Sequence, residues 1–287
     1  MSREDMQQQK QNISVLMSVY EKENPKYLGQ ALASILNQTI KPQEIVLIED
    51  GRLTDELYQV IEAYVRQAGS CGIEINRYRF DHSVQLGRAL SKGVTLCRNE
   101  LIARMDTDDI AVETRLEQQA YYLSEHPEVS VLGGAILEFS DDGSYEKVKN
   151  MPIGHSDIKK YARYRNPVNH MTVMFRRDAV LRCGNYRHFP YLEDYELWSR
   201  MIAAGEIFDN LTNVQVKART NNGVYGRRGG WKYFQQYLLL RREQKELQLL
   251  TGTEYIKAVI LTFGMTMQPN RIRKWIYQKV LRKNVRN

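Results

Sequence analysis

The chain alternates short apolar runs with amphipathic stretches over its first half. Ile13 to Tyr20 (ISVLMSVY) is apolar nearly throughout, the pattern of a strand buried on both faces. Asn24-Pro25 then opens a helix, with Asn as N-cap and Pro in the first turn, and Leu28, Leu32, Ile35 and Leu36 form its apolar stripe. Glu44 to Ile48 predicts a second buried strand, and Thr54 caps a helix with Leu57, Val60, Ile61 and Tyr64 on one side. Ile73 to Tyr78 predicts a weaker third strand and Ser83 to Cys97 a helix carrying Gly87 and Gly93. Leu101 to Met105 predicts a fourth strand. Four repeats of strand and helix imply a doubly wound, mostly parallel α/β sheet.

Beyond this point the pattern loosens. A helix is expected over Glu113 to Glu125, stopped by Pro127, then a strand over Val129 to Phe139 and a hairpin turn at Asp141-Asp142-Gly143. Ser156 to Arg165 predicts a helix, Met171 to Phe175 a strand and Tyr191 to Ala204 a helix. Thr220 to Gly230 is a loop rich in glycine and arginine. From Trp231 the character changes to long helices, at 231–250, 253–267 and 270–283. A boundary near 230 therefore divides a catalytic or binding unit, 1–230, from a helical extension, 231–287.

The fourth strand ends in MDTDD. Asp106 and Asp108 stand two apart at the carboxyl edge of an open sheet, where ligands bind. In an extended turn their oxygens converge on one hard cation and leave most of its coordination shell for a diphosphate. A solvated acidic turn capping the next helix is the competing reading. Ser18, Tyr20 and Asp50 fall at the ends of neighbouring parallel strands and face the same crevice. Asp50 there either accepts a hydrogen bond from a base or simply completes a turn. The segment after the first strand, Glu21-Lys22-Glu23-Asn24, is no glycine-rich phosphate loop, which argues against Rossmann and P-loop folds. Glu193 and Asp194 open a helix, where the helix dipole favours acids; a general base aimed into the crevice is the functional alternative. Arg227 and Arg228, set between glycines, have the fork that grips phosphate, with a solvated mobile loop as the alternative. His170 is a candidate for the acceptor cleft, with a packed, satisfied imidazole as the alternative.

Composition narrows the setting. The formal charge of +7 sits mostly in the tail, where residues 271–287 hold seven Arg or Lys and no acid. A polar N-terminus without a secretory pattern and three scattered cysteines suit a cytoplasmic protein. The long uncharged runs, Tyr27 to Ile40 and Ala258 to Asn270, are too short to span a bilayer. In 270–283, Ile272, Trp275, Ile276, Tyr277, Val280 and Leu281 recur at helical spacing among basic residues, which predicts a helix lying at an anionic membrane surface. The alternative is a helix docked on the core.

SVY after the first strand, IEDG after the second, MDTDD and LEDYELW together resemble family 2 glycosyltransferases of the GT-A fold, over about residues 12 to 230. LIARMDTDD, NPVNHMTVMFRR, YGRRGG and PNRIRKWIYQKVLR are similar to bacterial transferases that build O-antigen or exopolysaccharide repeat units. The resemblance implies an inverting enzyme using Mn²⁺ or Mg²⁺ on Asp106 and Asp108, with Asp194 as base. Asp109 supports the sugar or the loop, and Ser18, Tyr20 and Asp50 hold the nucleoside. It also implies a UDP-sugar donor (glucose or galactose), a polyprenyl-diphosphate-linked sugar acceptor, and a peripheral place on the inner face of the cell membrane, without nucleic acid. Arg52, where relatives often have serine, and Lys92, where they often have asparagine, depart from the pattern. A sugar-1-phosphate nucleotidyltransferase would need a glycine-rich basic loop after the first strand, which is absent. A non-catalytic nucleotide or nucleic-acid binder would need a base-reading motif in the tail, and none is evident.

Overall fold

The computed structural model describes residues 12–220 and 229–269; the expected tail helix at 270–283 lies outside them. Strand β1 (Ile13–Val19) runs parallel between β2 (Glu44–Glu49) and β4 (Leu101–Met105), and β3 (Glu74–Arg79) adds in parallel outside β2. This is the parallel half that the sequence predicts. β3 is the edge strand, half exposed, which accounts for its weak apolar pattern.

The other half is mixed. β8 (Met174–Arg176) pairs antiparallel with β4, and β6 (Val129–Phe139) antiparallel with β8. β9 (Ile207–Arg219) then pairs parallel with β6, and the two-residue β5 (Ile110–Ala111) closes the path against β9. The order is β3-β2-β1-β4-β8-β6-β9-β5, with β7 (Glu146–Lys149) a hairpin partner of β6.

Helices cover both faces, so the apolar runs of β1, β2 and β4 are buried on two sides. α1 (Pro25–Leu36), α2 (Asp55–Ser70) and α4 (Arg115–Glu125) pack on one face. α3 (Leu86–Leu96), α5 (His155–Ala162), α6 (Arg177–Arg182) and α7 (Glu193–Ala203) pack on the other, around Trp198 and Phe208. The caps are those expected: Asn24 Oδ1 accepts from Lys26 N at 2.9 Å, and Thr54 Oγ1 accepts from Leu57 N at 3.4 Å. From Trp231 come α8 (Trp231–Glu246) and α9 (Gly252–Thr266), the latter opened by a capping box of Thr251 and Glu254.

Three elements differ from expectation. The helix expected from Ser83 begins only at Leu86, because Asp50 takes the Ser83 hydroxyl and the Val84 amide and holds those residues in a loop. His170–Thr172 forms a 3₁₀ turn instead of the start of a strand, because Asn169 O accepts from both the amide and the hydroxyl of Thr172. The longest strand, β9, has no clear alternation. Its register shifts against Gly134 to Ile136, and polar Asp209 and Asn210 turn inward to bond loop backbone at Gly154 and Pro152.

Candidate active site

The parallel register brings the ends of β1, β2 and β4 to one edge. Met17 pairs with Met105 and Ser18 with Ile48, so Ser18, Asp50 and Asp106 emerge side by side. Asp50 N bonds Val19 O at 2.8 Å, fastening the second strand end to the first. The Asp50 carboxylate, 8% exposed, accepts from Ser83 Oγ at 2.8 Å and Val84 N at 2.5 Å. It orders the loop that follows β3 and keeps lone pairs free for a further donor. Gly51 turns there at φ 94°, a left-handed conformation. Arg52 lines a neighbouring cavity of about 450 Å³ with Tyr58, Arg79 and Asp81. Tyr20 is exposed at the crevice rim.

Asp106, Asp108 and Asp109 converge, with one carboxylate oxygen from each within 4.8 Å of the others. Burial, then the charges of Asp106 and Glu23, push the Asp108 carboxyl up to about 7. Burial and the same aspartates also hold Asp109 well above the usual range. Hard oxygen donors packed this tightly repel unless a cation or proton joins them, so the donor set suits a divalent metal. Asp109 accepts from Arg219 N at 2.8 Å and is the most buried of the three. Thr107 turns inward, its hydroxyl donating to Glu23 at 2.6 Å, which ties the acidic turn to the turn after β1.

Two arginines that the sequence reading passed over hold this turn. Arg104, 2% exposed, lies on the α3 and α7 face of β4 and pairs with Asp106 at 2.5 Å. Its Nε and Nη1 have no partner among the described residues. Its charge also reaches Glu193 and Asp194 and counteracts the rise in both. A charged residue inside the apolar run LIARM was the signal. Arg219 ends β9. Its guanidinium lies over Tyr27 (3.9 Å) and Phe139 (4.9 Å), pairs with Asp141, and donates to Asp108 O (3.0 Å) and Gln30 (2.7 Å). No local motif marks it, because its partners come from three separate segments.

α7 delivers the second acidic pair. Asp194 accepts from Asn166 Nδ2 at 2.5 Å and Tyr195 N at 2.7 Å. Burial raises its carboxyl above the usual range while those two bonds hold it down. Glu193 lines a cavity of about 510 Å³ with Gln85, Gly87, Phe189 and Tyr191, and burial, then the Asp194 charge, pushes it up to about 7. His170 sits beneath, bonding the Tyr186 hydroxyl at 3.0 Å beside the edge of Trp198. Burial and the Arg104 charge keep it well below its ordinary pKa, so it is a neutral, partnered imidazole. Arg227 and Arg228 lie outside the described residues.

An open sheet with acids at the carboxyl ends of β2 and β4, met by an acidic pair from a later helix, matches a known family. Residues 14–184 match Glycosyl transferase family 2. The chain belongs to that family. The transferase is 36% identical to the amylovoran biosynthesis glycosyltransferase AmsE of Erwinia amylovora, over 93% of this chain and 98% of that one. It is 32% identical to an Escherichia coli UDP-Gal:alpha-D-GlcNAc-diphosphoundecaprenol beta-1,3-galactosyltransferase, over 94% of this chain and 96% of the other. In three dimensions it resembles Staphylococcus aureus TarS 1-349 in complex with UDP-GlcNAc, with a TM-score of 0.67 over 93% of this chain and 79% of that one, at 16% identity. It also resembles mannosyltransferase PcManGT of Pyrobaculum calidifontis in complex with GDP-Man and Mn²⁺ (TM-score 0.60, 12% identity, 94% of this chain and 80% of the other). The fold is therefore GT-A and the protein is a glycosyltransferase. No described helix is long and apolar enough to cross a membrane.

Proposed function

We propose that the transferase moves a hexose, glucose or galactose, from a UDP-sugar to a sugar carried on a polyprenyl diphosphate, with inversion at the anomeric carbon. The observation that carries this reading is the meeting of Asp106, Asp108 and Asp109 with the Glu193-Asp194 pair around one buried cation, Arg104. The galactosyltransferase relative, whose name states a lipid-diphosphate acceptor, supports the choice of acceptor.

Asp194 acts as general base. Asn166 fixes its carboxylate and favours the ionised form, which leaves it ready to take the proton of the acceptor hydroxyl. The anomeric carbon passes through an oxocarbenium-like state as the UDP–sugar bond breaks. Asp106 and Asp108 would hold Mn²⁺ or Mg²⁺, which supplies positive charge to the departing diphosphate. Asp109, fixed by the Arg219 amide, keeps the acidic turn in shape and supports the sugar. Ser18, Tyr20 and Asp50 hold the nucleoside, Glu193 and His170 shape the acceptor side, and Arg227 and Arg228 grip a diphosphate. The enzyme works on the inner face of the membrane as a peripheral protein, with 231–287 as its handle.

The test is a transfer assay with a panel of UDP-sugars and a synthetic GlcNAc-diphosphate-lipid, following UDP release and product mass. Acceptor-dependent release with one hexose donor is expected. Product without a new sugar–sugar bond, or release indifferent to acceptor, would overturn the reading.

A further inference from the structure

We infer that α9 and the start of α8 form a lipid-binding face, laid on an anionic phospholipid surface beside the mouth of the active-site cavity. The sidedness of α9 is the first ground. The residues it buries are small or hydroxylic: Ala258, Thr262 and Thr266. Both threonine hydroxyls are spent inside the helix, on Ala258 O at 2.7 Å and Thr262 O at 2.9 Å. Its large apolar residues are left exposed: Ile256 is 58% exposed, Ile260 65%, and Phe263, which edges onto Phe234 of α8, 48%. Positions 256, 260 and 263 fall on one helical stripe. A helix in water normally turns this stripe inward. Small residues against protein and large apolar ones outward is the arrangement of helices that meet lipid.

The patch is also concentrated. Of eleven exposed large hydrophobics among the described residues, six lie in α8 and α9: Trp231, Leu239, Ile256, Ile260, Leu261 and Phe263. Phe234 joins Trp231 to Phe263, with ring centroids 5.5 and 5.3 Å away, so the surface runs across both helices. Trp at such a rim suits the headgroup level.

Charge selects the partner. From Ala258 to Asn270 the chain carries no charge, and residues 271–287 then add seven cations and no acid. An apolar face followed at once by a basic run matches an anionic bilayer. A second copy would set like charges against each other.

Position gives the face its use, and here the inference rests on the lipid-linked acceptor proposed above. Tyr191, 57% exposed, lines the cavity that Glu193 enters, and its ring lies 5.6 Å from that of Tyr233, two residues from Trp231. The lipid face and the cavity therefore share an edge, and an acceptor could enter the site with its polyprenyl chain still in the bilayer.

The experiment uses the full chain and vesicles of phosphatidylglycerol and phosphatidylethanolamine that contain no acceptor. Ile256→Ser with Ile260→Ser should lower partitioning about tenfold or more at ~0.5 M salt, where charge is screened and apolar contact remains. In a Trp275→Phe background only Trp198, which is buried, and Trp231 report, so vesicles should shift emission to the blue through Trp231. Unchanged partitioning of the double variant, or no shift, overturns the inference. So does a wild-type dimer in light scattering that the double variant dissociates, since the face would then join two copies. Because the vesicles lack acceptor, failure of transfer to a lipid-linked sugar leaves this measurement standing. Successful transfer with unaltered partitioning sinks the lipid face alone.

Discussion

At the scale of single residues, the sharpest question is which acid of the Glu193-Asp194 pair takes the proton. Adjacent helical residues point about 100° apart, so they meet different surroundings. Asp194 is bonded by Asn166 and Tyr195 N, whereas Glu193 lines the cavity. Asp194→Asn keeps shape and removes basicity, and kcat should fall ~10²–10⁴-fold with UDP-sugar affinity little changed. Glu193→Gln should keep most turnover. The reverse result in side-by-side kinetics would move the base by one residue. Glu193 gives a second, pH-based expectation. Burial lifts it from 4.5 to about 7, so the folded chain holds this proton to higher pH than the unfolded chain. The stability from this group is whole below pH 4.5 and is lost as pH rises through about 7. Glu193→Gln, neutral throughout, should match wild type below pH 4.5 and exceed it above pH 7 by on the order of 1–3 kcal/mol. Denaturant unfolding at both pH values reads this directly. An advantage equal at both pH values would contradict the burial of this carboxyl. The acids of this site were legible in the sequence because both groups sit in short motifs at element ends. Arg219 was not, because its roles exist only after residues near 27, 108, 139 and 141 have been folded together.

At the scale of elements, local pattern sufficed where an element obeys one period and carries its own cap. α1 and α2 do both, and β1 and β2 stand out as unbroken apolar runs. β9 was illegible for the opposite reason: bulges break its period and buried polar side chains break its apolar alternation. The glycines of α3 weakened the prediction of a helix, yet the packing demands them. A Cβ on Gly87 would stand 2.2 Å from Arg187 O, a backbone atom that cannot step aside. On Gly93 it would stand 2.3 Å from Leu16 Cδ1, the end of a flexible side chain. Gly87→Ala should therefore cost ~1–3 kcal/mol and displace the 187–193 segment that carries Glu193, lowering kcat as well. Gly93→Ala should cost less and leave kcat near normal. Thermal melts with kinetics on both variants check the contrast, and equal effects would mean the 187–188 backbone yields freely. The acidic turn is an element of the same kind, assembled and then strained by its own charge. Asp108→Ala and excess EDTA should each abolish transfer, and Mn²⁺ should raise the melting temperature of wild type but not of Asp108→Ala. Full activity in EDTA would remove the metal from the proposal.

At the scale of the whole molecule, the sheet and the helices past residue 230 meet through apolar contacts such as Leu240 with Leu192 and Tyr195, through the Arg163–Glu254 ion pair, and through a buried cation. Arg241 of α8 is 1% exposed and pairs with no carboxylate among the described residues. It donates instead to Arg163 O at 3.0 Å and Tyr164 O at 2.8 Å, just past the end of α5. Those are helix-terminal carbonyls without partners in their own helix, and they carry the negative end of its dipole. The same guanidinium meets the Tyr195 hydroxyl at 3.0 Å and Gln244 at 2.6 Å. Tyr195 follows Asp194 directly, so α8 reaches the proposed base through a single residue. Nothing in the sequence around Arg241 announces this, since RREQKE reads as a solvated helical face. Arg241→Met keeps the apolar stem and strands two part-buried carbonyls, while the Tyr195 hydroxyl keeps only its bond to Ala162 O at 2.7 Å. The loss should be about 2–4 kcal/mol, on the order of 5–10 °C in Tm. Because Tyr195 loses one of its two hydroxyl partners, kcat should fall while UDP-sugar affinity holds. Arg241→Lys should restore part of the stability and little of the geometry, since an ammonium cannot span both carbonyls as the planar fork does. One cooperative transition at lower temperature is the expected melt. A melt that splits in two would mean that the helices past 230 unfold as a separate unit. A melt unchanged from wild type would show that the other contacts, apolar packing and the Arg163–Glu254 pair among them, suffice to hold the helices on the sheet.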